Sequence, residues 1–177
     1  TIASLVGQDI LVYAKSALQL SDSLSGLPLA AFGIGVGIGS VLAGKLSHSK
    51  VEVGHIPLGA IGLTFGLFVM GSLSPDLTGT LTSMAWLGLS SGFIVVPINA
   101  LIQWQAPKDR RGAVIAFSNI FVFVGVLAGS LATGALAFIG LSSSAIIFFA
   151  GVLAAILTFG STKIMPEAFI RMFLFLM

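Results

Sequence analysis

Few residues in this chain could do chemistry, and most of those lie inside long apolar stretches. Asp9, beside Gln8, is the one acid well inside such a stretch. Asn99 and Gln103 stand four positions apart. On a helix that spacing puts them one turn apart, on a face shared with Gly88, Gly92 and Val96. Asn119 lies inside the next apolar stretch. A carboxylate at the centre of a bilayer costs roughly 2.5–3.5 kcal/mol on insertion scales, so such groups face an interior or a water-filled cavity. Gln8, Asp9, Asn99, Gln103 and Asn119 are therefore candidates to line a polar path through an apolar body. Two plainer readings stay open. Asp9 can be interfacial, or can pair with a polar group outside this chain. Asn99 and Asn119 can form a structural hydrogen bond.

Other chemistries find no footing. There is no Cys, which removes thiolate metal sites, disulfides and thiol catalysis. His48 and His55 lie seven apart with no paired carboxylate motif, so no metal is expected. No Ser-His-Asp set or carboxylate pair is present, and catalysis by this chain is not expected. Gly39-Ser40-Val41-Leu42-Ala43-Gly44-Lys45 reads like a phosphate-binding loop, but Leu46 stands where a Ser or Thr would hold Mg²⁺. No strand precedes it, so it fails the context that motif requires. The sequence pI near 9.3 reflects a net charge of only +2. The longest basic run is Arg110-Arg111, too short for a nucleic-acid surface.

The elements that must position these residues are helices in lipid. The chain has 177 residues, of which 56% are hydrophobic and 8% charged, and its mean hydropathy is +1.11. A soluble domain carries about 25% charged residues. This chain cannot cover a water-facing surface, so its solvent is the bilayer. A spanning helix needs about 20 apolar residues. Breaks at charge, Pro and Ser predict six, over residues 1–20, 26–46, 56–73, 77–104, 111–139 and 142–162. Long uninterrupted apolar runs such as Ala145–Leu157 exclude a barrel, whose strands alternate. Ser21 or Ser23 is expected to cap the second helix, Asp109 the fifth and Ser142 the sixth. Pro97 inside the fourth predicts a kink. Trp86 and Trp104 look like interface anchors.

Lys45, Lys50, Lys108, Arg110, Arg111, Lys163 and Arg171 all fall on one side of such a bundle, and only Lys15 on the other. Basic loops stay inside, so both ends of this stretch are expected in the cytoplasm. Small residues recur at four-residue spacing: Gly33 and Gly37, Gly35 and Gly39, Gly62 and Gly66, Gly88 and Gly92, Gly125 and Gly129. That spacing lets backbones approach closely in lipid, either as static packing or as surfaces that slide. The chain starts at Thr1 without a leader pattern and is still apolar from Phe169 to Met177. It reads as a piece of a longer protein, with a six-helix unit over residues 1–163 and a tail over 164–177.

The stretch Ser21…Gly26-Leu27…Gly33…Gly37…Gly44-Lys45-Leu46-Ser47 resembles the entry, glycine stripe and cytoplasmic loop of the major facilitator superfamily. Pro107-Lys108-Asp109-Arg110-Arg111-Gly112 resembles the basic turn that recurs two helices later. Ser47-His48-Ser49-Lys50 replaces the fuller Asp-Arg signature of the first loop. More narrowly, Val95-Val96-Pro97-Ile98-Asn99-Ala100-Leu101-Ile102-Gln103 is similar to a segment of bacterial lysophospholipid transporters. Tyr13-Ala14-Lys15, Leu20-Ser21-Asp22, Val51-Glu52-Val53-Gly54, Ile56-Pro57-Leu58-Gly59 and Met165-Pro166-Glu167-Ala168-Phe169-Ile170-Arg171 fit the same group. The resemblance implies an all-α membrane protein forming the second half of a twelve-helix transporter. The first and fourth helices here would line the path, and the third and sixth would face lipid. It further implies an amphiphilic lipid substrate, a bacterial inner membrane, a partner six-helix half, no cofactor, and a possible fused phospholipid acyltransferase. A general small-molecule or drug exporter, or a membrane anchor for that acyltransferase, are the competing expectations.

Overall fold

A computed structural model describes residues 2–16, 18–22, 24–47, 54–73 and 75–164. It contains six helices: α1 (Ile2–Ser16), α2 (Leu27–Leu46), α3 (His55–Leu73), α4 (Leu77–Gln105), α5 (Arg111–Phe138) and α6 (Ser143–Ile164). The helices from α2 to α6 are each long and apolar enough to cross a membrane. The described α1 has 15 residues and stops short of the expected Leu20. Gln19, at φ 51°, adopts the left-handed conformation just beyond it, which ends the helical path.

The caps correct the sequence reading in two places. α2 begins at Gly26 without a side-chain cap, with Pro at its first turn; Ser21 instead accepts the turn hydrogen bonds from Leu24 and Ser25. Ser23 lies outside the described residues. Asp109 does not cap α5. Arg110 holds that position without a side-chain cap, and Asp109 faces it at 3.6 Å, both exposed. Ser142 does cap α6, its Oγ accepting from the Ala145 N–H at 3.3 Å. Asp76 supplies a cap the sequence reading missed, accepting from the Gly79 N–H at 2.9 Å. α4 continues through Pro97, which is buried.

Glycines set the crossings. A Cβ at Gly35 would strike the Ala85 carbonyl of α4, and one at Gly88 the Phe32 carbonyl of α2. A Cβ at Gly92 would lie 2.6 Å from the backbone of Gly39 and Ser40. Positions on α2 and α4 rise together along this seam, so the two helices run parallel with backbones in contact. α3 runs antiparallel to α4, with Gly59 against Ser90 and Gly66 against Leu87. It also runs antiparallel to α6, with Gly71 against Phe148 and Thr64 against Thr158 at 3.3 Å. α1 lies on α5 and α6. Exchanging α1, α2 and α3 for α4, α5 and α6 reproduces this set of neighbours: α2 with α4 becomes α5 with α1, and α3 with α4 becomes α6 with α1. The packing therefore has the form of an inverted three-helix repeat, because α1 and α4 run in opposite directions. The core lies among α1, α3, α4 and α6, around Ile10, Tyr13, Leu67, Met70, Met84 and Ile147.

Only one of the two α2 glycine stripes is a packing surface. Gly35, Gly39 and Ala43 are buried, whereas Gly33 and Gly37 are exposed and a Cβ there would meet nothing within 4 Å. Gly39→Val should consequently destabilise the helical fold by at least about 1–3 kcal/mol, the usual cost of overpacking. Gly37→Val should leave it unchanged. Thermal melting of the two variants in detergent, followed by circular dichroism, checks the contrast.

Candidate functional site

α1 turns Val6, Asp9, Ile10, Tyr13 and Ala14 toward the bundle, the three- and four-residue spacing of a buried helix face. Asp9 is the acid of that face and is 3% exposed. The Ser143 side chain, in the first turn of α6, lies beside the carboxyl. The second carboxyl oxygen, Oδ2, is buried with no hydrogen-bond partner among the described residues. An open acceptor of this kind costs about 1–3 kcal/mol unless something binds it. One turn further on, the Tyr13 hydroxyl donates to the Pro75 carbonyl at 2.9 Å, and the Thr80 hydroxyl donates to the same oxygen at 3.2 Å. α1 is thus tied to both the α3–α4 turn and the start of α6.

A pocket of about 70 Å³ lies where the first four helices meet. Val6 and Gly7 of α1 and Phe32 of α2 form one side; Leu67 of α3 with Met84 and Leu87 of α4 form the other. Ser91 is its polar contributor, and its hydroxyl already donates to the Leu87 carbonyl at 2.8 Å. Asp9 is three residues beyond Val6, a rise of about 4.5 Å along α1. The sequence reading missed this pocket. Gly7, the one glycine of α1, was the signal that could have marked it.

The remaining candidates do not converge on Asp9. Asn99 and Gln103 are exposed, and the Asn99 amide donates to the Val95 carbonyl of its own helix at 3.0 Å. That bond replaces the expected tie to Asn119, which is exposed on α5. From the α2–α4 seam at Gly39 and Gly92, Asn99 is level with the last turn of α2, at the end that carries Lys45, Lys108, Arg110 and Arg111. Asp9 and Tyr13 stand near the opposite end, beside the α3–α4 and α5–α6 turns. The side chain of Gln8 lies outside the described residues, as do Lys50 and His48. Gly129 is buried in α5 while Gly125 is half-buried. His55 is buried edge-to-face against Phe93, with ring centroids 5.7 Å apart. Trp86 donates its indole N–H to the Gly62 carbonyl at 2.9 Å, a link between α3 and α4. Lys15 pairs with Asp22 at 2.8 Å, and this hydrogen bond and charge hold the exposed Asp22 carboxyl below the usual carboxylate range. The one basic residue at the polar-turn end is therefore neutralised locally.

An inverted-repeat bundle of apolar helices with a buried carboxyl and an apolar pocket defines one half of a secondary membrane transporter. The family model of the Major Facilitator Superfamily matches residues 3–168. The chain belongs to that superfamily, and its six helices are one half of the twelve-helix fold. It is a multi-pass membrane protein. No curated protein and no solved structure gives a significant match.

Two expectations follow from the site. In the complete transporter, Asp9→Asn should assemble normally yet lower transport at least roughly tenfold, the equivalent of one charge-assisted hydrogen bond. Asp9→Leu should also assemble, because Val6 and Ile10 flank it; uptake assays paired with size-exclusion profiles separate these effects. Second, Tyr13→Phe and Thr80→Val each leave the Pro75 carbonyl one donor, and the double variant leaves it neither. The pair should therefore be non-additive by roughly 0.6–2 kcal/mol in a thermal double-mutant cycle.

Proposed function

We propose that this half-transporter moves lysophospholipid across the inner membrane of a bacterium, for re-acylation on the cytoplasmic side. The observation that carries the reading is the character of the described interior: one buried carboxyl, Asp9, with the His55 ring and a few hydroxyls, set in hydrocarbon. A sugar needs many polar partners to replace its hydration, and this interior has few to offer. An amphiphile with one polar head and one acyl chain asks for much less. The similarity of Val95–Gln103 to bacterial lysophospholipid transporters supports the same substrate. In this reading the basic ends of α2, α4 and α5 face the cytoplasm, and a second six-helix half completes the path. A phospholipid acyltransferase fused beyond Met177 would use the delivered lipid; the chain described here has no enzymatic part in that step.

The test is uptake of labelled lysophosphatidylethanolamine by spheroplasts carrying the full-length gene. Uptake is expected, without competition from a two-chain phospholipid. Export of an unrelated drug with no lysophospholipid uptake would move the assignment to a drug exporter. Retention of acyltransferase activity with no transport of either kind would favour an anchor. The 177-residue chain alone should insert but not transport.

A further inference from the structure

The pocket between α1, α2, α3 and α4 is lined, among the described residues, almost wholly by hydrocarbon. Its volume of about 70 Å³ is several times the ~10–15 Å³ that one water-sized sphere occupies. Water in such a space needs two to four polar partners. Among the described lining residues Ser91 carries the one hydroxyl, and its proton is committed to the Leu87 carbonyl. Phe32, Leu67, Met84 and Leu87 present only carbon and sulfur. A second feature shows open space on the α1 side of the wall. A Cβ built on Gly7 would meet nothing within 4 Å, although the helix on either side of it is packed through Val6 and Ile10. The glycine is not there to permit a helix crossing, unlike Gly39 or Gly92. It leaves room.

We propose that this pocket binds the terminal methylenes of a single linear alkyl chain, and that the missing side chain at Gly7 sets how much chain it admits. Leu29, at the rim, is 42% exposed, so the pocket communicates with the surface and a chain can enter end-on. The polar end of the molecule then lies outside the pocket, and Asp9 is within one helical turn of the wall. The proposal deepens the amphiphile reading and rests on it for the identity of the cargo. The alkyl chain itself can come from a one-chain substrate or from a bilayer lipid.

The experiment uses the full-length protein in native membranes and a lysophospholipid carrying a diazirine on its terminal acyl carbon. After illumination, label is expected on the peptides that contain Phe32 and Met84. Gly7→Leu should remove most of that label, and Gly7→Ala, the smaller change, should remove part of it. Both variants should keep the wild-type size-exclusion profile, since their added atoms grow into empty space. The same diazirine on a two-chain phospholipid identifies the source. Equal labelling of the pocket by both probes keeps the alkyl-chain site and assigns its occupant to the bilayer. Label confined to the exposed face of α5, or pocket label unchanged by Gly7→Leu, overturns the proposal. Loss of lysophospholipid uptake with the pocket label intact would remove the transport reading and leave the site standing.

Discussion

Backbone contact between α2 and α4 is the constraint on which the rest of the bundle depends. In lipid, a helix gains little by hiding hydrocarbon from hydrocarbon, so association must come from close packing. Gly35, Gly39, Gly88 and Gly92 provide it by bringing backbone against backbone along the seam. With α2 and α4 locked in parallel, α3 is fitted antiparallel along α4 by Gly59, Gly62 and Gly66, and α6 is fitted onto α3 by Gly71 and Gly151. Each crossing uses small residues on at least one helix. A layer of ordinary side chains at the first seam would push α4 outward and open all the others.

The same repeat is built less tightly on the other side. The counterpart of the α2–α4 seam is α1 on α5, and there only Gly129 and Thr133 of α5 are buried. Phe117, Phe121, Phe123, Leu127 and Leu131 leave α5 as a broad exposed apolar face. α1 is held by its core residues Val6, Ile10 and Tyr13, with Tyr13 also bonded to the Pro75 carbonyl and Asp9 beside Ser143. One half of the repeat is fixed by backbone contact, and the other by side-chain packing around Ile10 and Ile147 with a few polar ties. The polar ties cluster at the end opposite the basic residues, which gives the two ends of the bundle different chemistry.

Much of the architecture was legible in the sequence, because lipid imposes strong rules. Apolar length and basic punctuation delimit α2 to α6 to within two residues, and the four-residue glycine spacing marks the α2–α4 and α3–α4 crossings. What spacing cannot say is which of two interleaved stripes is used: Gly33–Gly37 and Gly35–Gly39 look alike, and only the position of α4 chooses. Local polar pairing was less legible still. Asn99 has a partner one turn back in its own Val95 carbonyl, and that bond costs less chain entropy than reaching Asn119 across a gap. Gln103 and Asn99 share a helix face with Gly92, yet α2 ends where they begin, so the lower part of the face is packed and the upper part exposed. The pocket escaped detection because its walls are ordinary apolar residues from four helices, and nothing in their order along the chain brings them together.

Asp9 is the residue that packing does not account for. It occupies the middle of the buried α1 face, between Val6 and Ile10, where a Leu would fill the space without leaving an open acceptor. The Ser143 side chain lies beside the carboxyl, and among the described residues nothing hydrogen-bonds Oδ2. A bare buried oxygen costs about 1–3 kcal/mol, more than the roughly 0.6 kcal/mol that an average interhelical hydrogen bond returns in a membrane. The tie to α6 is therefore a net loss for the isolated half. A carboxyl kept at such a position, within a turn of an apolar pocket, is better explained by what it meets than by what it holds together.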